Sequence, residues 1–266
     1  MDIGINQIKN LIAIGAGKGG VGKSTVTVNL ALKLSDLGYK VGILDLDLYG
    51  PSIGKMLITS EIPTPYMEGM LPAACGEIKL MSIAYFQMGL EVNFVRAPIA
   101  NGIIKQFLNQ VYWGGLDFLL IDLPPGTSDI HMTLMQEVSL KGALLVTTPQ
   151  EVSLLDVRKA LQMYLKMNVP LIGIVENMSY FLSEGKKIFP FGESKMKTLI
   201  DEYLVDVLGF IPIDPDISEN CDKGLSFSNS KNVHIAFDEI VNQFLKNVSV
   251  LENIPILNLE WDKSWS

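Results

Sequence analysis

The nine residues GKGGVGKST, from Gly17 to Thr25, have the types and spacing of a phosphate-binding loop. They satisfy the pattern G-x-x-x-x-G-K-[ST], in which glycines let backbone N–H groups turn inward onto phosphate oxygens. Lys23 can then reach the β- and γ-phosphates, and the Ser24 hydroxyl is placed to bind Mg²⁺. We therefore expect nucleotide to contact every residue of the loop, which comprises Gly17, Lys18, Gly19, Gly20, Val21, Gly22, Lys23, Ser24 and Thr25.

Acidic residues end two predicted buried strands elsewhere in the chain. The run KVGILD ends at Asp45, with Asp47 two residues later, and the run DFLLID ends at Asp122, before a Pro-Pro-Gly turn. Ligands of open α/β sheets bind outside the carboxyl ends of the strands. Asp45 and Asp47 are therefore expected at the γ-phosphate side, where an acid can orient the attacking water or hold Mg²⁺ through its water shell, and Asp122 is expected to hold the metal through water. The alternative is that a strand-end acid only caps a turn.

Residues that recognise the base are expected at the ends of later strands. Asn177 follows the run PLIGIV, and its amide offers both a donor and an acceptor to the edge of adenine. Pro212 and Asp214 follow the strand predicted at Val207–Ile211, and the Pro212 ring could lie flat against the base. A strand-end asparagine is otherwise an ordinary turn former.

The elements around these residues predict an α/β fold. Asn10–Ala16 reads as a buried strand and Val26–Leu37 as a helix, so the loop joins a strand to a helix. Apolar strands alternate with helical segments along the chain, which predicts a three-layer P-loop NTPase with a mostly parallel sheet flanked by helices on both faces. We expect one domain over residues 1–250, with an irregular insertion at 51–88 on the switch side and a tail at 251–266.

Composition argues against several classes of partner. The net charge of −8 disfavours a general nucleic-acid surface. No segment is long and apolar enough for a membrane span, and no basic helix face suggests a membrane surface. The N-terminus is too polar for a signal peptide. The two cysteines are too far apart in sequence to suggest a disulfide framework, so the expected compartment is the cytoplasm.

Longer stretches carry a resemblance to a known family. The loop KGGVGKST resembles the deviant Walker A motif of the MinD, ParA and nitrogenase-iron-protein class of ATPases. The runs LDLDLYGPSIGKML, VRAPI, IDLPPGTSDIHMTLMQ, VTTPQEVSLLDVRKAL, VENMSYF and GFIPIDPDI resemble the Mrp/ApbC group of ATP-dependent iron–sulfur cluster carriers. They cover most of residues 10–228 in the expected order.

The resemblance implies roles for particular residues and partners. Lys18 would reach across a nucleotide-sandwich homodimer to the ATP of the partner, and Asp47 would position the attacking water. With Lys23 and Asp122, they would form the catalytic group of a slow ATPase. Ser24, Asp47 and Asp122 would hold Mg²⁺. The partners implied are a second copy, apoprotein clients and other iron–sulfur assembly proteins.

The chain departs from the family where clusters are bound. Members of the group usually carry C-x-x-C a few residues after the position of Phe181, but this chain reads FLSEGKKIFPFG there. Ser183 stands near the place of the first cysteine. Thiolates are the normal protein ligands of iron–sulfur clusters. Cys75 and Cys221 could supply four thiolates in a dimer, although a lone cysteine more often packs as a small apolar residue.

Three functions are compatible with these features of the sequence. The first is an ATP-hydrolysing iron–sulfur cluster carrier or assembly protein. The second is a nucleotide-switched adaptor ATPase that has lost the cluster, and the third is a MinD/ParA-like positioning ATPase.

Two polar residues beside the Pro-Pro-Gly turn have ordinary structural interpretations as well. Asp129 is suited to cap a helix predicted at Ile130–Val138, and a catalytic role is the alternative. His131 begins the same helix. Because it has no partner in sequence, we predict a surface imidazole rather than a phosphate contact.

Overall fold

A computed structural model describes residues 3–48, 50–59, 61–86, 97–224 and 230–252 of the chain. The strands are β1 (Ile8–Ala16), β2 (Val41–Asp45), β3 (Thr64–Tyr66), β4 (Gly69–Leu71), β5 (Ala73–Cys75), β6 (Ile78–Ser82), β7 (Leu116–Asp122), β8 (Gly142–Thr147), β9 (Leu171–Ser183), β10 (Lys186–Ile188) and β11 (Val207–Pro212). The helices are α1 (Lys23–Asp36), α2 (Ile53–Met56), α3 (Ala97–Asn109), α4 (Asp129–Glu137), α5 (Glu151–Lys166), α6 (Lys197–Tyr203), α7 (Pro215–Asp222) and α8 (Lys231–Glu252).

The central sheet is mostly parallel, as predicted. Its strand order is β10-β9-β8-β1-β7-β2-β6-β5, and β11 also pairs with β9. Only β5 and β10 pair antiparallel with their neighbours in this sheet. Asp122 lies in register with Asp45 on one side and with Ile14 of β1 on the other. The two strand-end acids therefore lie at the same level of the carboxyl edge of the sheet. The phosphate loop begins at this edge, directly after β1.

Helices cover both faces of the sheet. One apolar cluster packs α1 and α8 against it through side chains such as Leu34 and Phe244, and the other packs α3, α4 and α5 through side chains such as Phe107 and Leu161. Strands β2 and β8 are buried along their whole length, which is expected when helices cover both faces of a parallel sheet. These clusters give the three layers that the sequence predicts.

Three predicted segments take a more definite form in the structure. Within residues 51–88, β3 pairs with β4, while β6 enters the central sheet parallel to β2; residues 60, 87 and 88 lie outside the described part. Strand β9 continues eight residues beyond the strand predicted at 170–175. Helix α8 ends at Glu252, and the rest of the expected tail, 253–266, lies outside the described residues. Among the described helices, none combines the length and apolar character that a membrane span requires.

Candidate functional site

The phosphate loop is fixed in place by contacts from α5 and β9. A Cβ atom at Gly17 would lie closer than 3.0 Å to the backbone of α5 at Asp156 and Val157. Gly22 has φ 80° and is the N-cap of α1, and a Cβ atom there would collide with the side-chain amide of Asn177. Glycine avoids the collision at both positions because it has no Cβ atom, and it also adopts the positive φ at Gly22 without strain. The loop therefore leads directly into a helix N-terminus, where backbone N–H groups and the helix dipole favour an anion.

Asp122 organises the polar groups below the loop. Its Oδ2 accepts hydrogen bonds from Lys23 Nζ at 2.5 Å and from Ser24 Oγ at 2.7 Å. Its Oδ1 accepts from Thr27 Oγ1 at 2.6 Å. Asp122 is completely buried and Lys23 nearly so. A buried charge pair is stable when hydrogen bonds satisfy the remaining atoms, and this carboxylate has such bonds on both oxygens.

Asp47 lies on the other side of Lys23. The distance from Lys23 Nζ to Asp47 Oδ2 is 3.9 Å, and Gly50 N donates to Asp47 Oδ1 at 3.2 Å. The three residues predicted to hold Mg²⁺, Ser24, Asp47 and Asp122, therefore surround one ammonium group. Their hydroxyl and carboxylate oxygens are the ligands that Mg²⁺ prefers in proteins, so the donor set fits this ion.

A cavity of about 400 Å³ opens above these groups. The lining comprises Lys18, Gly19, Gly20, Val21, Gly22, Lys23, Ser24, Thr25, Asp47, Gly50, Ser52, Met56 and Pro125. Lys18 is thus placed on the wall of the cavity. Its predicted reach to a partner's nucleotide remains a prediction.

Asp45 has an environment that the sequence does not reveal. It is buried beside Asp122 and accepts hydrogen bonds from Asp47 N at 3.1 Å and Ser82 Oγ at 2.9 Å. Burial, followed by repulsion from Asp122, raises the pKa of Asp45 to about 7. Of these two strand-end carboxylates, Asp122 accepts a hydrogen bond from Lys23, whereas Asp45 accepts from Ser82 and from the Asp47 backbone.

The base-recognition residues are not all in one place. Asn177 is buried beside the loop, and its Nδ2 donates to the Val21 carbonyl at 2.9 Å. Pro212 and Asp214 instead line a second cavity of about 430 Å³, together with Phe181, Leu182, Ile213, Pro215 and Asn232. Asp214 also caps α7 by accepting from Asp216 N at 3.0 Å. The role of these three residues toward the base stays a prediction.

His131 is not at the surface, so that expectation was wrong. The imidazole is 1% exposed, and its Nδ1 accepts a hydrogen bond from Ser128 N at 3.2 Å. Burial, with a smaller contribution from Lys23, lowers the pKa of His131 to about 4. The helix cap is also one residue earlier than predicted, because Ser128 is the N-cap and Asp129 is the first residue of α4. A hydrogen-bonded neutral imidazole therefore stiffens the turn after Asp122.

The two cysteines lie on separate elements. Cys75 ends β5 and Cys221 lies on α7. Both are partly buried, and burial raises the pKa of each thiol. Within the described residues, no three His, Cys, Asp or Glu side chains form a group suited to a metal ion.

A β-hairpin occupies the place where the resembling family carries C-x-x-C. Strands β9 and β10 pair antiparallel, with Ser183 opposite Lys186. The turn residues Glu184 and Gly185 have φ 50° and 77°, as in a two-residue turn with left-handed central residues. The described part of this segment therefore offers no thiolate to a cluster.

Comparisons with known proteins agree with this architecture. A ParA family model described as the NUBPL iron-transfer P-loop NTPase matches residues 7–249. The iron–sulfur cluster carrier protein of Aquifex aeolicus is 44% identical, over 82% of this chain and 61% of that protein, so the chain spans less than two thirds of that relative. The carrier protein of Methanocaldococcus jannaschii is 46% identical, over 83% of this chain and 78% of that protein. A solved nucleotide-binding protein from Archaeoglobus fulgidus in complex with ADP is 39% identical, with a TM-score of 0.75 over 88% of this chain and 93% of that one.

Proposed function

The chain belongs to the NUBPL iron-transfer P-loop NTPases of the ParA group, and from that premise we propose that it carries or assembles iron–sulfur clusters. It binds and hydrolyses Mg-ATP and acts as a nucleotide-sandwich homodimer. The observation that supports this most strongly is a complete phosphate site inside a family match that covers residues 7–249. Relatives that are named iron–sulfur cluster carrier proteins support the proposal that the cargo is a cluster.

The ATPase part of the proposal follows from the polar groups below the loop. Loop N–H groups and Lys23 bind the β- and γ-phosphates, while Ser24 and Asp122 hold Mg²⁺, which neutralises phosphate charge when bound. Binding requires Lys23 and Ser24 to exchange Asp122 for phosphate and metal, since both side chains now donate to that carboxylate. Asp47 is close enough to this region to orient the attacking water.

A second copy supplies the remaining charge in this proposal. Both lysines line the cavity. Lys23 lies near Asp47 and is assigned to the phosphates of its own copy, which leaves Lys18 for the nucleotide of the partner. A lysine introduced by a partner stabilises negative charge in the transition state in the way an arginine finger does. Hydrolysis is therefore expected only in the closed dimer.

A nucleotide-switched adaptor is the second candidate, because a specific observation favours it. The β9–β10 hairpin carries no thiol, and Cys75 and Cys221 are partly buried on separate elements. In the adaptor, ATP closes the dimer to organise other assembly proteins, and the chain itself holds no cluster.

Anaerobic reconstitution with iron and sulfide distinguishes the two candidates. The carrier predicts a thiolate-type absorption band and a constant ratio of iron and sulfide to protein after gel filtration. The variant Cys75→Ala/Cys221→Ala should lose both, whereas Ser183→Ala, in the hairpin, is the matched control and should retain them. Wild-type protein that takes up no cluster, while still binding ATP, would reject the carrier and favour the adaptor.

A further inference from the structure

A groove between α4 and α5 lies beside the turn that follows Asp122. Its volume is about 370 Å³, and its described lining shares no residue with that of the phosphate cavity. Thr127 comes from the turn and Met132 from α4, while the rest of the described lining belongs to α5. None of these residues has a role in the proposed ATPase, so the groove is a separate surface.

Helix α5 contributes one regular stripe to this groove. The stripe has the helical spacing i, i+3, i+4, i+7 and i+8 and consists of Lys159, Gln162, Met163, Lys166 and Met167. Neighbouring positions such as Leu161 and Tyr164 are buried in the core, so the stripe faces outward. Eight residue steps of a helix span about 12 Å, which is enough for two turns of a second helix to lie alongside.

The apolar part of the groove consists of methionines. Met132 is 39% exposed, and Met163 and Met167 are partly buried against the apolar cluster under α4 and α5. Methionine is flexible and polarisable, and it is common on surfaces that bind peptides of varied sequence. The groove therefore accepts apolar side chains of a partner without demanding one shape.

The charged part of the groove is basic, although the chain has a net charge of −8. Lys166 is exposed, and no carboxylate of the described residues forms an ion pair with it. Lys159 pairs with Asp156 of the same helix at 3.0 Å, but its side chain is 71% exposed and such surface pairs are weak. The described lining contains no acidic residue. A basic, apolar groove is complementary to an acidic, apolar segment.

The wall formed by the turn and α4 is connected to the phosphate loop. Gly126 N, next to Thr127, donates to the Ala16 carbonyl at 2.8 Å, directly before the loop begins. Ser128 and His131 form a capping box that fixes the turn to α4, and Met132 follows His131. A shift of this turn when the γ-phosphate leaves would therefore change the shape of the groove.

We propose that the α4–α5 groove docks a short acidic, amphipathic helix of a partner protein. Apolar side chains of that helix contact the methionines, and its carboxylates pair with Lys159 and Lys166. The dependence of docking on nucleotide rests on the proposed function, because ATP hydrolysis is what moves the turn.

The C-terminal segment of this chain is an alternative occupant with similar chemistry. Residues 253–266 contain apolar side chains together with Glu260 and Asp262. However, α8 leads to this segment on the opposite face of the sheet, where Leu251 packs against the other apolar cluster. The groove is therefore assigned to a partner protein.

Fluorescence anisotropy with the full chain tests the groove. The probe is a labelled peptide of about 15 residues, with leucines at the spacing of one helix face and glutamates on the other. We expect wild type to bind it about tenfold or more tightly than a peptide with lysine in place of every glutamate. Non-specific attraction to a chain of net charge −8 would favour the basic peptide instead.

A charge-reversal variant locates the binding. Lys159→Glu/Lys166→Glu should weaken binding of the acidic peptide by about tenfold or more, because like charges then face each other. The matched control is Lys231→Glu/Lys246→Glu, which makes the same change of net charge at exposed positions of α8 and should retain the affinity. Stronger binding of the basic peptide, or equal binding of the acidic peptide to wild type and the groove variant, would overturn the proposal.

The nucleotide series separates this inference from the function on which it rests. Affinity for the acidic peptide should differ by about fivefold or more between Mg-ATP and Mg-ADP, and equal affinities would overturn the link to the turn. If the peptide binds in the groove but the protein does not hydrolyse ATP, the groove stands and the proposed function fails. Normal ATP turnover without peptide binding would reject the groove alone.

Two further measurements identify the occupant and its position. With p-benzoylphenylalanine in place of Gln162, the acidic peptide should be crosslinked, whereas the same label in place of Lys246 should give no product. Absence of the product at position 162 would overturn the proposal. A chain ending at Glu252 should bind the peptide as the full chain does, and a large gain in affinity would make the segment 253–266 the occupant and reject the partner.

Discussion

The phosphate loop and the β9–β10 hairpin with its flanking residues, 177–191, differ in how their side chains are partnered; the second region is called the ribbon below. Below the loop, Lys23, Ser24 and Thr27 all donate to one buried carboxylate. In the ribbon, large apolar side chains remain exposed and the lysines face solvent. The polar groups around Asp122 are thus satisfied within one copy of the chain, whereas the ribbon presents exposed apolar area. The comparison indicates that the groups that bind the β- and γ-phosphates are already in place in one copy.

The largest effect should come from Lys23→Ala. Removing charged hydrogen bonds to two phosphates should weaken ATP binding by about 100-fold or more, at roughly 1.5–3 kcal/mol for each bond. The unfolding free energy should also fall by about 3–5 kcal/mol, because Asp122 loses its buried cation. Isothermal titration and urea denaturation measure the two quantities. Lys18→Ala is the matched variant and should keep ATP affinity within about threefold. Equal losses of ATP affinity in Lys23→Ala and Lys18→Ala would contradict the distinct roles given to the two lysines.

A second prediction concerns how the free energy of unfolding depends on pH, which tests whether His131 near the loop is buried. His131 has a pKa of about 4 in the folded protein and about 6.5 when unfolded, so the unfolded state binds more protons between these values. Stability from this residue is present above pH 6.5 and is lost as the pH falls to 4, by about 3 kcal/mol in total.

Urea denaturation across pH 4–7 checks the histidine prediction. The variant His131→Gln should lack this dependence, and the difference between the two curves isolates His131 from Asp45. The raised pKa of Asp45 has the opposite effect, because its stabilisation is lost as the pH rises through about 7. Parallel curves for wild type and variant would show that His131 is not buried as a neutral imidazole.

Asn177→Ala should sharpen the comparison, since this residue belongs to both regions. The variant leaves the Val21 carbonyl without its amide donor, which costs about 1–3 kcal/mol when the group is buried. We expect lower stability in urea denaturation and weaker ATP binding together. Leu182→Ala, in the ribbon itself, should change neither by more than about 0.5 kcal/mol, as is usual at exposed positions. Similar losses in both variants would contradict the division into two regions.

The smallest effect is expected at the tip of the ribbon. Glu184 adopts φ 50°, a left-handed conformation that asparagine accepts more readily than glutamate. Glu184→Asn gives the Asn-Gly pair favoured in such turns and should stabilise the hairpin by about 0.5–1 kcal/mol. Amide hydrogen exchange at β10 would measure the gain. ATP affinity should not change, and a change would show that the ribbon tip is coupled to the loop.

The sequence predicted the loop region better than the ribbon for a physical reason. Phosphate binding requires glycine at positions such as Gly17 and Gly22, and a lysine and a hydroxyl at fixed spacing, so the requirement is visible in the residues themselves. The parallel sheet was also predictable, because its strands are continuous apolar runs. The acids Asp47 and Asp122 were placed correctly at its carboxyl edge.

The burial of polar residues could not be predicted from the sequence in the same way. The strand was predicted to end before Glu176, since Glu176, Asn177 and Ser179 interrupt the apolar run. Their side chains find partners far away in sequence, such as Val21 and Ser194, and those contacts exist only in the folded chain. His131 was misplaced for a related reason, because the centroid of its ring lies 6.5 Å from that of Tyr164 of α5, a contact that exists only in the folded chain.

Hydrolysis only between two copies is the central feature of the proposed mechanism. The direct measurement is ATP turnover per protomer, with saturating Mg-ATP, over a wide range of protein concentration. We predict that turnover per protomer rises with concentration and is lost in Lys18→Ala, although that variant still binds ATP. Turnover that is constant at every concentration, and unchanged in Lys18→Ala, would contradict the account.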